Sequence, residues 1–315
     1  MILRDLCDLI GVSGYETKVI DYLYSAIFTA NKCDEIYIDK IGNLICLRRG
    51  TTGRKNIIIT AHADEVGFQV MEKSSGDIFH IKNLGNIKTW NAINQQVKSQ
   101  NATGVIYAID YSNLQANNFN NLYLMRLNGK IQIGDVFTFA RPFQEGEKYY
   151  LAKSLDNRTS CYCLYKLIMS EISTIENIYY VFTVQEEINM RGSRVVKTLL
   201  KPDLCITLDV SPENEMNSIK LGGGVGIKIS DSVGVSSCRY VELAKDIAQR
   251  YNIKHQFEVS NCGTSELIIS NEIDNGSCEL GISVPCKFIH SSNTLIYKKD
   301  VKKTIKLMEK IISIL

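Results

Sequence analysis

Three short apolar runs, each ending in acids or a histidine, constrain this chain more than any other feature. Ile57-Ile58-Ile59-Thr60 leads into Ala61-His62-Ala63-Asp64-Glu65, the run 178–184 (IYYVFTV) into Gln185-Glu186-Glu187, and Leu204-Cys205-Ile206-Thr207-Leu208 into Asp209. Continuous β-branched and aromatic runs suit strands that are buried on both faces. Helical patterns lie around them at 159–172 and 191–200. Buried strands alternating with helices predict an α/β fold, a mixed and largely parallel sheet flanked by helices. Ligands of such sheets bind beyond the carboxyl ends of the strands, so the polar clusters are expected to converge on one crevice.

Other segments fit around that sheet. Residues 17–30 carry apolar side chains at helical spacing, and Ser13 with Glu16 three positions later has the form of a capping box. Ile36-Tyr37-Ile38 and Leu44-Ile45-Cys46-Leu47, with Gly42-Asn43 between them, predict a hairpin. Further helices are expected at 239–251 and 298–314. From about residue 72 to 150 the pattern changes to short alternating segments, such as Val105-Ile106-Tyr107-Ala108-Ile109 and Val136-Phe137-Thr138-Phe139. That change predicts a small all-β domain inserted into the α/β one. At 315 residues the chain exceeds the usual single-core size. The expected division is 1–69 with 153–315 for the catalytic domain, and 70–152 for a barrel-like insert.

Composition excludes several function classes. The 36 basic and 34 acidic side chains leave a formal charge of +2, which supplies no field for a phosphate backbone, so no nucleic-acid partner is expected. Arg4, Asp5 and Asp8 interrupt the apolar start too early for a signal peptide, and no stretch approaches about 18 uninterrupted apolar residues. A cytoplasmic protein without a membrane span is expected. The ten cysteines include no CxxC pair, the closest being Cys161 and Cys163, and read as reduced thiols acting as small core hydrophobes.

Each polar cluster alone has an ordinary explanation. His62 reads as a hydrogen-bonded histidine, Asp209 as a loop or cap acid, and Glu186-Glu187 as a solvated helix start where acids favour the dipole. Ser154-Leu155-Asp156-Asn157-Arg158 reads as an N-cap before a helix near Thr159, and His290 follows the strand-like Val284-Pro285-Cys286-Lys287-Phe288. Taken jointly they point elsewhere, because several carboxylates set directly after apolar strands are costly to bury without cations. Imidazole and carboxylate donors without thiolates suit zinc, cobalt or manganese. Two histidines and three acids hold two such ions if one carboxylate bridges them. An acid beside a ligand acid, as in Glu186-Glu187, is placed to shuttle a proton. Metal-assisted hydrolysis is the reaction class this suggests.

Over nearly its whole length the sequence resembles the cytosolic dinuclear metallo-aminopeptidases of the tetrahedral-particle (TET) type, family forty-two of the metallopeptidases. Six motifs in order carry the resemblance: GVSGYE at 11–16, AHADEVGF at 61–68, SLDNR at 154–158, QEE at 185–187 with Arg191-Gly192, LDV at 208–210, and IHS at 289–291. The resemblance implies an aminopeptidase acting on short peptides, with a zinc-peptidase-like catalytic domain and two divalent metal ions per subunit, zinc or cobalt or else manganese. It implies that His62 and Asp209 bind one ion, Glu187 and His290 the other, and that Asp156 bridges them. Glu186 would be the general base and then acid, and Asp64 would hold the second ring nitrogen of His62. The family's inserted β domain supports dimers, and its subunits typically form hollow dodecamers, so a homo-oligomer is implied. Some relatives carry glutamyl or deblocking aminopeptidase names, and some an endoglucanase one.

The sequence departs from the family at three places. Asn189 stands where a glycine is usual, and Asn tolerates positive φ better than most residues. Gly263-Thr264-Ser265-Glu266 lacks an acid of the family's motif, and Asn293-Thr294 follows His290 where an acid is common. The rival readings are a related metal-dependent amidohydrolase or deacylase, and a metal-binding assembly protein that has lost catalysis. Pocket walls are expected from loops that include 221–226 and 262–266.

Overall fold

Alternation inside the buried strands decides the layering in the computed structural model, which describes residues 2–108, 122–261, 265–267 and 276–315. Successive side chains of a strand point to opposite faces. In Asn56–His62, Ile57 and Ile59 join the large core that contains the helices Ile2–Asp8, Thr17–Ala30, Leu155–Met169, Cys238–Arg250 and Lys298–Ile312. Ile58 points the other way, into a smaller cluster with Val181, Cys205 and Val196 of the helix Arg191–Leu200. Both faces are therefore covered. Each fully buried isoleucine contributes on the order of 2 kcal/mol of hydrophobic stabilisation.

The expected α/β architecture is present. Asn56–His62 pairs in parallel with Asn177–Thr183 on one side and with Leu204–Pro212 on the other, and Leu204–Pro212 pairs in parallel with Cys278–Lys287. Antiparallel strands extend this centre at both edges, and Val225–Ser230, antiparallel to Cys278–Lys287 and parallel to His255–Val259, branches from it to complete an 11-stranded sheet. The hairpin read from the sequence forms one edge, with Glu35–Ile38 pairing with Leu44–Arg48 and Ile38 opposite Leu44. At the other edge lie Thr294–Tyr297, Tyr149–Ala152 and Gln144–Glu145.

A closed barrel of six antiparallel strands, running from Gly67–Ser75 to Val136–Phe139 in chain order, supplies the small all-β part. It has its own core, in which Phe68 and Phe139 meet edge to face at 5.4 Å. Part of this barrel's chain, 109–121, lies outside the described residues, and so does Ile109 of the segment quoted above. Every cysteine among the described residues is a free thiol. No described helix is long and apolar enough to cross a membrane.

Two local readings need correction. Helix Thr17–Ala30 does start where the pattern places it, but Ser13 and Glu16 do not cap it: Glu16 sits at the N-cap position without a side-chain cap bond. The Ser13 hydroxyl donates to Asp64 instead, and Glu16 accepts from the backbone N–H groups of Gly14 and Gln185. The helix expected from Thr159 is Leu155–Met169, with Asp156 and Asn157 in non-helical conformation and no side-chain cap bond. Asn157 Nδ2 donates to the Leu208 carbonyl at 2.9 Å, so distant partners have displaced both local caps.

Candidate metal centre

Parallel pairing sets the carboxyl ends of four strands side by side, with Thr183 opposite His62 and Asp209 opposite Ser283. His62, the Gln185–Glu187 turn, Asp209 and His290, the last three residues beyond Cys278–Lys287, therefore open onto one edge. Asp209 lies within Leu204–Pro212 rather than beyond it, because that strand keeps pairing as far as Pro212 opposite Cys286. Asp156 reaches the same place from the first turn of Leu155–Met169.

Asp156 stands between the two imidazoles. Its Oδ1 is 3.3 Å from His62 Nε2 and its Oδ2 is 3.1 Å from His290 Nε2. Asp209 Oδ1 lies 3.8 Å from His62 Nε2, and Glu187 Oε1 lies 3.2 Å from His290 Nε2. Glu186 Oε2 is 3.9 Å from His62 Nε2. One oxygen of a shared carboxylate facing each imidazole, with a further acid beside each ring, is an arrangement that two bridged cations fit.

Behind this layer the rings are oriented from outside. His62 Nδ1 is 3.3 Å from Asp64 Oδ1 and has no other partner, so the Asp64 contact alone fixes that nitrogen. Asp64 is fully buried and also accepts from Ser13 Oγ at 2.6 Å, Glu186 N at 3.0 Å and Glu187 N at 3.1 Å. The sequence suggested only the imidazole contact; the backbone of the Glu pair is an addition. His290 Nδ1 lies 2.8 Å from the Asn86 carbonyl, which can only accept, so Nδ1 carries a hydrogen and Nε2 is turned to the acids.

Burial and neighbouring charges shift the titrations of this cluster. Burial disfavours the charged form of His62, but the field of Glu186 and hydrogen bonds to Asp156 and Asp64 outweigh it and hold the imidazole pKa well above its usual value. His290 behaves likewise, burial being overcome by Glu187 and Asp156. Burial lifts the Glu186 carboxyl well above the ordinary range, His62 opposing and Glu187, Asp209 and Asp64 adding to it. Burial also carries Asp209 up to about 7, with His62 opposing and Asp156 assisting. Asp156 moves the other way, because contacts with both histidines overcome its burial. Burial thus disfavours the charged forms of Glu186 and Asp209 together, a cost that a divalent cation would offset. The candidate groupings among the described residues, His62 with Glu186 and Asp209 and His62 with Asp156 and Glu187, each bring ligand atoms within 4.8 Å of one another.

A cavity of about 560 Å³ opens over these residues. One wall comes from the barrel and the turn after the Glu pair, through Asn86, Lys88 and Met190; the other includes Met216, Lys228 and Ile289. Lys228 is buried and lies 3.4 Å from Glu258, itself held by Ser211 and Ser283. These pocket residues carry no spacing signal, since what joins them is pairing between distant strands. The 221–226 segment, expected as a wall, does not line this cavity; its Gly222 and Gly224 N–H groups donate to Asp300. Of the other expected wall, residues 262–264 lie outside the described residues; Ser265 is buried and donates to Asp231 at 2.7 Å. Asn189 takes φ +84°, the left-handed conformation its glycine-like position requires. Asn293 Nδ2 donates to Ser292 Oγ at 2.8 Å.

Comparison with known proteins agrees with the fold. A lysyl aminopeptidase of Pyrococcus furiosus is 26% identical over 97% of this chain and 94% of its own. A solved structure from Thermotoga maritima, described as an endoglucanase, is 28% identical with a TM-score of 0.83 over 99% of this chain and 96% of that one. The Pyrococcus horikoshii TET1 peptidase, which can assemble into a tetrahedron or a large octahedral shell, has the same fold, with a TM-score of 0.85 at 22% identity over 99% of this chain and 98% of its own. The family described as M42 glutamyl aminopeptidase matches residues 42–118 and 126–307. Matched over most of its length, the chain belongs to the M42 family of metal-dependent aminopeptidases and is a peptide-bond hydrolase.

Proposed function

We propose that this chain removes N-terminal residues from short peptides by hydrolysis assisted by two divalent ions. The observation that carries the reading is Asp156, with one oxygen toward His62 and the other toward His290. His62 and Asp209 would hold one ion, Glu187 and His290 the other, and Asp156 both. Imidazole and carboxylate donors suit zinc or cobalt, and also manganese. When bound, the ions would polarise the scissile carbonyl and lower the pKa of a water toward about 7.

The remaining work belongs to side chains. With the cations bound, Glu186 would be a carboxylate, able to accept the proton of the attacking water and return it to the leaving amine. Asp64 fixes the His62 ring from behind, and the Asn86 carbonyl does the same for His290. The cavity of about 560 Å³ is of the size that takes a small ligand.

Two measurements test this. Chelation abolishes hydrolysis of amino-acid amides and zinc or cobalt restores it, while Glu186→Gln keeps its metal content and loses turnover by about 10²-fold or more. Activity that survives chelation, or full turnover in Glu186→Gln, overturns the reading. Preference for acetylated amino acids over free amides would assign a deacylase instead.

We further infer a homo-oligomer, a dimer or a dodecamer, in which the barrel supplies subunit contacts; the fold shared with TET1 peptidase supports it. Light scattering on the purified chain decides it, and a monomer at micromolar concentration would count against it. A cytosolic setting suits the free thiols.

A further inference from the structure

The turn that carries Glu186 and Glu187 is closed by Met190 N donating to Glu186 O at 2.8 Å and Arg191 N to Gln185 O at 3.1 Å, but its leading N–H groups are held from outside. Gln185 has φ +59°, Asn189 +84° and Met190 +52°, a left-handed conformation costly for residues with a Cβ. Its three consecutive N–H groups point into carboxylates. Gln185 N donates to Glu16 Oε1 at 3.0 Å, Glu186 N to Asp64 Oδ1 at 3.0 Å and Glu187 N to Asp64 Oδ2 at 3.1 Å. Successive backbone N–H groups in such a turn form an anion-binding concavity. Here two side-chain carboxylates of the protein fill it.

Both carboxylates are anchored by the segment before helix Thr17–Ala30. Glu16 is 5% exposed, and the same oxygen also accepts Gly14 N at 2.7 Å. Ser13 Oγ donates to Asp64 Oδ2 at 2.6 Å. The segment is itself docked beside the His62 strand end, since Val12 bridges Glu65 in parallel, Ser13 N donates to Glu65 O at 3.3 Å and Glu65 N donates to Gly11 O at 3.0 Å.

We propose that Glu16 is a positioning residue for hydrolysis: by fixing the Gln185 N–H it sets the direction in which Glu186 leaves the sheet. It touches neither substrate nor ion, and acts through the backbone of its neighbour in space. The inference rests on the reading of Glu186 as the proton carrier. A displacement of about 1 Å at a reacting group costs on the order of 10²-fold in rate.

Three substitutions separate reach from charge. Glu16→Ala removes the acceptor, Glu16→Gln keeps an acceptor oxygen at the same reach without the charge, and Glu16→Asp keeps the charge at a shorter reach. Each is assayed on an amino-acid p-nitroanilide after metal loading, with metal content measured by elemental analysis. Glu16→Ala is expected to lower kcat about 10- to 100-fold with KM within about threefold and metal content unchanged. Glu16→Gln is expected to recover most of the loss and Glu16→Asp little of it. The Gln and Asp variants decide the matter even if the Ala variant does not fold. A Glu16→Ala enzyme with wild-type kcat, or Glu16→Gln no better than Glu16→Asp, overturns the inference. Glu186→Gln is run beside them. If it is inactive while Glu16→Ala is normal, only the Glu16 inference falls; if it is fully active, the proton-carrier reading falls and takes this one with it.

Discussion

Asp64 shows how much one buried carboxylate can organise. It faces His62 Nδ1 and accepts from a hydroxyl and two backbone N–H groups, so all its contacts require acceptor oxygens. Asp64→Asn would turn an NH₂ group toward at least one N–H donor. Metal affinity should fall about 10- to 100-fold, measured by competition with a coloured chelator. The titration of the centre gives a second expectation. His62, His290, Glu186 and Asp209 all have pKa values raised above their unfolded values. A raised pKa contributes stability below the unfolded pKa that is lost as pH rises through the folded one. Asp156, being lowered, contributes in the opposite sense, but at acid pH. The metal-free protein should therefore melt at a lower temperature at about pH 8 than at about pH 6, and divalent ions should remove the difference. Thermal melts in chelator check it; a melting temperature that rises over that range contradicts the assignment. At this scale the sequence was readable where a residue sits directly after an apolar run, as His62 and Glu187 do. Ser13 and Glu16 were misread because their spacing imitates a local cap, while Glu16 bonds a backbone group 169 positions away.

Elements follow from periodicity far better than from caps. The double-faced apolar strands and the helix Thr17–Ala30 stand where their patterns place them, since burial needs only the period of the side chains. The start of Leu155–Met169 is different: Asp156 and Asn157 leave the helical conformation, Asp156 facing both imidazoles and Asn157 bonded to the Leu208 carbonyl. Gly192 marks a similar tight place. A Cβ there would lie 2.3 Å from Asn43 Oδ1 and 2.4 Å from the Val184 carbonyl, next to the turn that begins at Gln185. Gly192→Ala should cost about 1–3 kcal/mol by overpacking, read as a lower denaturation midpoint with unchanged slope. An unchanged midpoint would mean that the helix Arg191–Leu200 can shift outward at little cost.

Across the whole molecule, barrel, N-terminal segment and sheet meet at Glu65. This buried acid accepts Lys153 Nζ at 2.6 and 2.5 Å, Thr138 Oγ1 of the barrel at 2.8 Å and Gly11 N at 3.1 Å, with Arg158 3.6 Å away. Burial pulls the Lys153 pKa down to about 8, with Glu65 opposing it. Glu65→Ala leaves the buried Lys153 and Arg158 with carbonyl acceptors but no counter-charge from Glu65, and should cost about 3–5 kcal/mol in chemical denaturation. Alternating segments announced an all-β part, but which strands close on one another is written only in long-range pairing. Tyr149–Ala152 thus joins the large sheet, although its pattern continues that of the barrel. Asn86 gives this junction its consequence. The main-chain oxygen that aims His290 belongs to the stretch between the barrel strand Ile78–Leu84 and the short helix Thr89–Ala92, and Asn91 reaches back toward the His290 carbonyl. Excising the barrel as a spare module would leave one imidazole without its rudder, so the proposed centre draws on sheet and barrel together and should not survive transplantation with either alone.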